Sequence, residues 1–183
     1  FYYKTFMWPK KLWYNLYEPA IRMSAGLGKS PTQPDPELYD HNHLHCDVLV
    51  VGGGISGIIA AKTAAKNNLN TVLIDDKNIL GGTTIFQENE CFKINNSYSN
   101  EWLKKEIESL KLLKNLTIKT RATLAAYHSY NYLLARENLT DHLDINEKKD
   151  KIRQRLLKIR AKKVIIATGA MERPLIFNNN DRP

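Results

Sequence analysis

Val48-Leu49-Val50-Val51-Gly52-Gly53-Gly54-Ile55-Ser56-Gly57 decides how this chain is read. Four apolar residues with no polar interruption make a short buried strand. Gly52, Gly54 and Gly57 then fit Gly-x-Gly-x-x-Gly, with Gly53 inside the turn. In that pattern the first glycine makes a tight turn, the second lets backbone approach a pyrophosphate, and the third lets strand and helix pack closely. A helix over 55–66 would aim its free amides and the positive end of its dipole at the phosphates. A second apolar run, Thr71-Val72-Leu73-Ile74, ends in Asp75-Asp76. A carboxylate there can accept hydrogen bonds from an adenosine ribose. Counted from Gly52, Asp75 is the better candidate and Asp76 the alternative. An acid at this point disfavours a 2′-phosphate, which favours NAD or FAD over NADP. The unit spans about 30 residues, the size of a parallel β-α-β crossover.

Two features further along belong to the same reading. Gly81-Gly82 follows Asp76 closely enough for a second glycine turn to meet the first, and Ala167-Thr168-Gly169 ends an apolar strand over 164–167. Small residues at both places permit close backbone approach to one nucleotide. Between them, 100–114 fits a helix through Trp102, Leu103, Ile107, Leu110 and Leu113, and strand-like runs lie at 116–120, 122–127, 132–135 and 154–159. The expected fold is a doubly wound, Rossmann-like α/β dinucleotide-binding domain with an inserted antiparallel meander at about 100–160, resembling the two-dinucleotide-binding-domain flavoproteins. In that layout the strand after the Trp102 helix offers backbone to adenine, at Leu124. The glycine pattern alone does not distinguish FAD from NAD.

The domain is expected over 46–183, preceded by an extended connector over 1–45. Phe1, Tyr2, Tyr3, Phe6, Trp8, Trp13, Tyr14 and Tyr17 crowd that connector, and Pro31, Pro34 and Pro36 forbid a continuous helix. Across 183 residues, 43% hydrophobic and 25% charged residues exclude wholesale disorder. The longest mostly apolar run, 48–61, is too short and glycine-broken to span a bilayer, and no apolar leader with a cleavage site is visible. Two cysteines, Cys46 and Cys91, are too few for a disulfide framework, which favours a reducing cytoplasm. The first residue is Phe1 rather than Met, so the chain reads as part of a longer, unfinished domain.

The net charge of +8 comes largely from 148–163, where nine Lys and Arg meet only Asp150. No aromatic residue interleaves them, so a solvated hairpin face is expected rather than nucleic-acid binding. Gly26-Leu27-Gly28-Lys29-Ser30 ends like a P-loop but lacks its first glycine, its strand and its helix. His41, His43 and His45 alternate, so a strand would set the three rings on one side. Their spacing does not suit structural zinc, and no metal site is expected. Cys91 has no Cys-x-x-Cys partner, and the acceptor sequences at Asn95, Asn115 and Asn138 carry no meaning without a secretory leader. No catalytic constellation can be argued from spacing.

Trp13 to Gly28 with Tyr17-Glu18-Pro19-Ala20-Ile21-Arg22, the run from His43 to Val51, Arg153-Gln154-Arg155-Leu156, and Ala167-Thr168-Gly169-Ala170-Met171-Glu172-Arg173-Pro174 together resemble the alpha subunit of heterotetrameric sarcosine oxidases. The resemblance continues to Asn180-Asp181-Arg182-Pro183. It implies that the chain is the connector and first part of a region holding NAD. It also implies FMN near an alpha–beta interface, FAD on the beta subunit, gamma and delta subunits as further partners, and a tetrahydrofolate-binding domain beyond this segment. The implied reaction turns sarcosine into glycine, with formaldehyde or methylenetetrahydrofolate and hydrogen peroxide, and the segment alone would not turn over. Ser56, Asp75, Asp76, Lys77, Thr83 and Leu124 match positions that contact NAD in that family, beside Gly52, Gly53, Gly54, Gly57, Gly82, Thr168 and Gly169. Ile55-Ser56 replaces the usual Pro-Ala, Asn68 stands where glycine is common, and Ser129-Tyr130-Asn131 departs from the pattern after Tyr127.

Overall fold

The computed structural model describes residues 9–26, 28, 32–86, 93–94, 96–170 and 177. Cys91, Asn95 and the stretches 171–176 and 178–183, all discussed above, lie outside them. The chain divides into two compact units, 1–36 and 37–183. In the first, a tight turn over Trp13–Tyr17 leads into α1, Glu18–Ser24. Proline in its opening turn costs no hydrogen bond, and the Arg22 guanidinium meets Glu18 one turn back. Tyr14 is 80% exposed.

The second unit holds β1 (Leu38–Val51), α2 (Ile55–Lys66), β2 (Thr71–Ile74), a small hairpin of β3 (Lys93–Ile94) and β4 (Ser97–Tyr98), and α3 (Ser99–Lys111). It continues with β5 (Leu116–Lys119), β6 (Ala122–His128), β7 (Tyr132–Asn138), a single turn α4 (Ile145–Lys148) and β8 (Ile152–Ile166). Six strands form one mixed sheet in the order β5-β2-β1-β8-β7-β6. The first four are mutually parallel, and β7 runs antiparallel to both β8 and β6. This is the doubly wound α/β half-sheet with its antiparallel meander.

Two strands are longer than the sequence pattern suggests. β1 starts at Leu38, so 38–45 is strand where a connector was expected, and 154–159 and 164–166 are one strand. The cause is mutual pairing: from Leu38↔Ile152 to Val51↔Ile166 the two strands run side by side. Their polar outer residues hide the alternation that a short window would need. Asn68, in place of glycine, adopts φ +60° at the turn after α2. Asparagine tolerates that left-handed geometry best after glycine.

Val48–Val51 of β1 and the whole of β2 are buried because both faces of the sheet are covered there. Val48, Val50 and Leu73 pack against Ile58 and Ala61 of α2 and Trp102, Leu103 and Leu110 of α3. Leu49, Val51, Val72 and Ile74 point the other way and share a core with Leu133, Ala135, Leu157 and Ile159 of the meander. Glu137 is buried beside that core, 3.0 Å from Lys119 on β5 and 3.7 Å from Arg155 on β8. A buried carboxylate needs such partners to stay ionised.

Candidate functional site

The carboxyl ends of β1, β2 and β8 fall level, with Val51 paired to Ile74 on one side and Ile166 on the other. Open parallel sheets bind ligands at this edge. The Gly52 amide donates to the Ile74 carbonyl at 2.8 Å, and the Ala167 amide to the Val51 carbonyl at 2.7 Å. The chain therefore leaves β1 pinned between its two neighbours.

Three glycines of the turn meet three different surroundings. A Cβ on Gly57 would sit 1.8 Å from the Gly52 carbonyl oxygen, so α2 starts closer to β1 than any side chain permits. Gly52, at φ +104°, would put a Cβ 2.3 Å from the Ala167 oxygen. Gly54 is the opposite case, since a Cβ there would meet nothing within 4 Å. The first and last glycines are required by the protein's own packing, and the middle one faces open space. That is the division of labour expected of a pyrophosphate-binding turn.

Gly54 also caps α2 in an extended conformation, with no side chain satisfying the first turn. The first intrahelical bond runs from the Ile58 amide to the Gly54 carbonyl at 2.9 Å. The preceding amides of Ile55, Ser56 and Gly57 point out of the helix without intrahelical acceptors. Three amides and the positive helix end beside an open backbone fit a phosphate, and the residues present fit a dinucleotide.

Asp75 holds the turn from below. It is 7% exposed, and its Oδ2 accepts the Gly53 amide at 2.5 Å while Oδ1 accepts the Lys77 amide at 2.8 Å. The carboxylate expected to face a ribose thus fastens the glycine turn to the end of β2, with lone pairs left over for one more donor. Asp76 and Lys77 are exposed and lie 3.7 Å apart as a loose ion pair. The second glycine turn does meet the first: the Gly81 amide donates to the Gly53 carbonyl at 2.7 Å, and a Cβ on Gly82 would lie 3.1 Å from Gly54 Cα. Thr83 next to it is exposed.

From the far side of the sheet, Ala167 and Thr168 border Gly52, and Gly169 continues outward at φ +74° with open space at its Cβ position. Leu124 is half-buried, two residues along β6 from Ala122, whose amide donates to the Asp75 carbonyl at 2.8 Å. The residues named from sequence around Gly52–Gly57, Asp75, Gly82 and Thr168 converge on one edge, with Leu124 at its margin. Leu80, which no motif marks, is buried, and its Cδ2 occupies the space a Gly53 Cβ would take. Its signal was an apolar residue directly before Gly81-Gly82. Among the described residues no group of His, Cys, Asp and Glu could hold a metal ion.

The three alternating histidines all lie exposed on β1, and Cys46 between His45 and Asp47 is a buried free thiol. Burial, with the Asp47 charge adding to it, pushes the Cys46 thiol up to about 11. Asp47 itself is held below the usual carboxylate range by Lys162 Nζ at 2.7 Å and by the Asn70 amide. No helix among the described residues is long and apolar enough to cross a membrane.

Residues 47–164 match the profile of the family described as FAD dependent oxidoreductase. The chain is 38% identical to sarcosine oxidase subunit alpha of Rhizobium meliloti (strain 1021), over all of this chain and 18% of that protein. It is also 38% identical to sarcosine oxidase subunit alpha of Corynebacterium sp. (strain U-96), over 87% of this chain and 16% of that one. It therefore spans under a fifth of these relatives. Among solved structures, L-proline dehydrogenase from P. horikoshii superposes with a TM-score of 0.55 at 26% identity, covering 84% of this chain and 28% of that one.

Proposed function

The chain belongs to the FAD-dependent oxidoreductase family, and from that premise we propose that it is the dinucleotide-binding part of a sarcosine oxidase alpha-type subunit. One observation carries the proposal. The 38% identity extends over the whole chain, connector and meander included, and so well beyond the glycine turn that many nucleotide-binding proteins share. In this reading the occupant of the turn is NAD. A second reading, FAD in the same place, is favoured by the family profile and by the likeness to L-proline dehydrogenase.

The chain's own residues have binding rather than bond-making work. The Ile55, Ser56 and Gly57 amides take the pyrophosphate, and Gly54 leaves it room. Asp75, with Asp76, Lys77 and Thr83 around it, lines the ribose side; Leu124 borders adenine; Gly82, Thr168 and Gly169 let backbone approach from either flank. When bound, a dinucleotide supplies hydride or electron-pair exchange at its ring. No residue here is assigned to the attack on substrate, and a scaffold role for the bound nucleotide is compatible with that.

The larger protein would work with beta, gamma and delta subunits in the cytoplasm, with FAD, FMN and tetrahydrofolate sites elsewhere in the assembly. Its reaction takes sarcosine, oxygen and water to glycine, formaldehyde and hydrogen peroxide, or to methylenetetrahydrofolate when folate accepts the carbon. The test is hydrogen peroxide release by the full-length protein purified with its accompanying subunits. Release that depends on sarcosine supports the proposal; no release with sarcosine would contradict it, and FAD without NAD among the nucleotides of the denatured protein would favour the second reading.

A further inference from the structure

The outer face of the meander carries charge of one sign. Along β1, β8 and β7, residues alternate between the shared core and solvent. Leu133, Ala135, Leu157 and Ile159 turn inward, and Arg136, Lys158 and Arg160 turn outward with His41, His43 and His45. Register places His43 beside Lys158 and His45 beside Arg160. The three carboxylates in these strands do not neutralise the array. Asp40 and Glu137 face inward and meet Arg155, at 2.9 Å and 3.7 Å. Asp47 alone shares the outer face, and Lys162 already occupies it.

Ordinary soluble surfaces intersperse both signs, whereas here Arg136, Lys158, Arg160 and Lys162 meet a single carboxylate, Asp47. Arg160 is moreover held in place: its guanidinium lies 4.8 Å from the Tyr132 ring centroid and Nη1 donates to the Tyr130 carbonyl at 3.1 Å. The guanidinium is thus pre-ordered at the surface, and less side-chain entropy is lost when an anion engages it. Beside it a cleft of about 300 Å³, lined by His45, Asp47, Asn70, Arg160 and Lys162, could admit a carboxylate side chain.

We propose that this face docks an acidic surface of another subunit. The inference rests on the reading of the chain as part of a multi-subunit enzyme. Protein is favoured over nucleic acid because no aromatic residue interleaves the cations of 148–163 as a stacking platform would require.

The experiment uses the full-length protein isolated with its accompanying subunits and treated with a carbodiimide, which joins lysine amines to carboxylates in direct contact. The Lys162–Asp47 amide serves as internal reference. Mass spectrometry should find Lys158 or Lys162 coupled to Asp or Glu of a different subunit. Lys158→Gln with Arg160→Gln should weaken association by about tenfold or more, and the wild-type complex should loosen as salt rises from about 50 mM to about 500 mM. Unchanged nucleotide content in the variant would show that it folds and that the glycine turn is intact. Lysine couplings confined to this chain, association indifferent to the two substitutions, a protein that isolates with no partner, or a complex that falls apart on nuclease treatment would each overturn the proposal. Loss of nucleotide or of sarcosine turnover in the wild-type protein would count against the underlying function instead.

Discussion

Gly57 has the least room of the glycines at the site. A methyl group 1.8 Å from the Gly52 oxygen can be relieved only by moving α2 off the sheet, and the amides at its start move with it. Gly57→Ala in the full-length protein should therefore lower stability by about 1–3 kcal/mol and strip the bound nucleotide together. Thermal unfolding and nucleotide content of the purified variant measure the two effects. Asp75 makes a different prediction because its carboxylate serves the fold before it serves any ligand. Asp75→Ala leaves the Gly53 and Lys77 amides without acceptors and should cost about 1–3 kcal/mol of stability. Unfolding of nucleotide-free protein would isolate that cost. A variant that lost nucleotide affinity yet kept full stability would mean that the carboxylate faces the ribose alone.

At the scale of elements, the long partnership of β1 and β8 builds one core from the parallel sheet and the meander. Ile159 is fully buried at that junction. Ile159→Ala should cost about 2–5 kcal/mol, read from a denaturation midpoint, and a smaller loss would mean that the meander is not packed on the parallel sheet. Cys46 on β1 links the same core to pH. Its thiol titrates near 11 instead of the ordinary 9.0, chiefly through burial. The folded state therefore keeps the proton after the unfolded chain has lost it. The thiol's contribution to stability is complete below pH 9.0 and declines as pH rises toward 11. Cys46→Ala should flatten the stability profile over that interval, and the native thiol should react with alkylating reagents at pH 8 far more slowly than the same thiol in denaturant.

Across the whole molecule, the site was legible where local chemistry is strict. Gly57 and Asp75 are determined by contacts within one β-α-β unit, and the reach of β2 follows from its short apolar run. What depended on distant pairing was less visible. The strand character of 38–45 exists because β8 lies beside it, and Arg155, Asp40 and Glu137 meet from three strands with nothing in their spacing to announce it. The hold of Asp75 on the glycine turn is hidden for a similar reason, since the Gly53 amide it binds lies 22 positions away.

If this glycine turn holds a dinucleotide, that dinucleotide is among the nucleotides released when the full-length protein and its subunits are denatured. Chromatography and mass should find NAD in about equimolar ratio to the chain, and should find it missing from the Gly57→Ala variant while the other cofactors remain. Wild-type protein that releases no dinucleotide lost by that variant would show that the turn holds none.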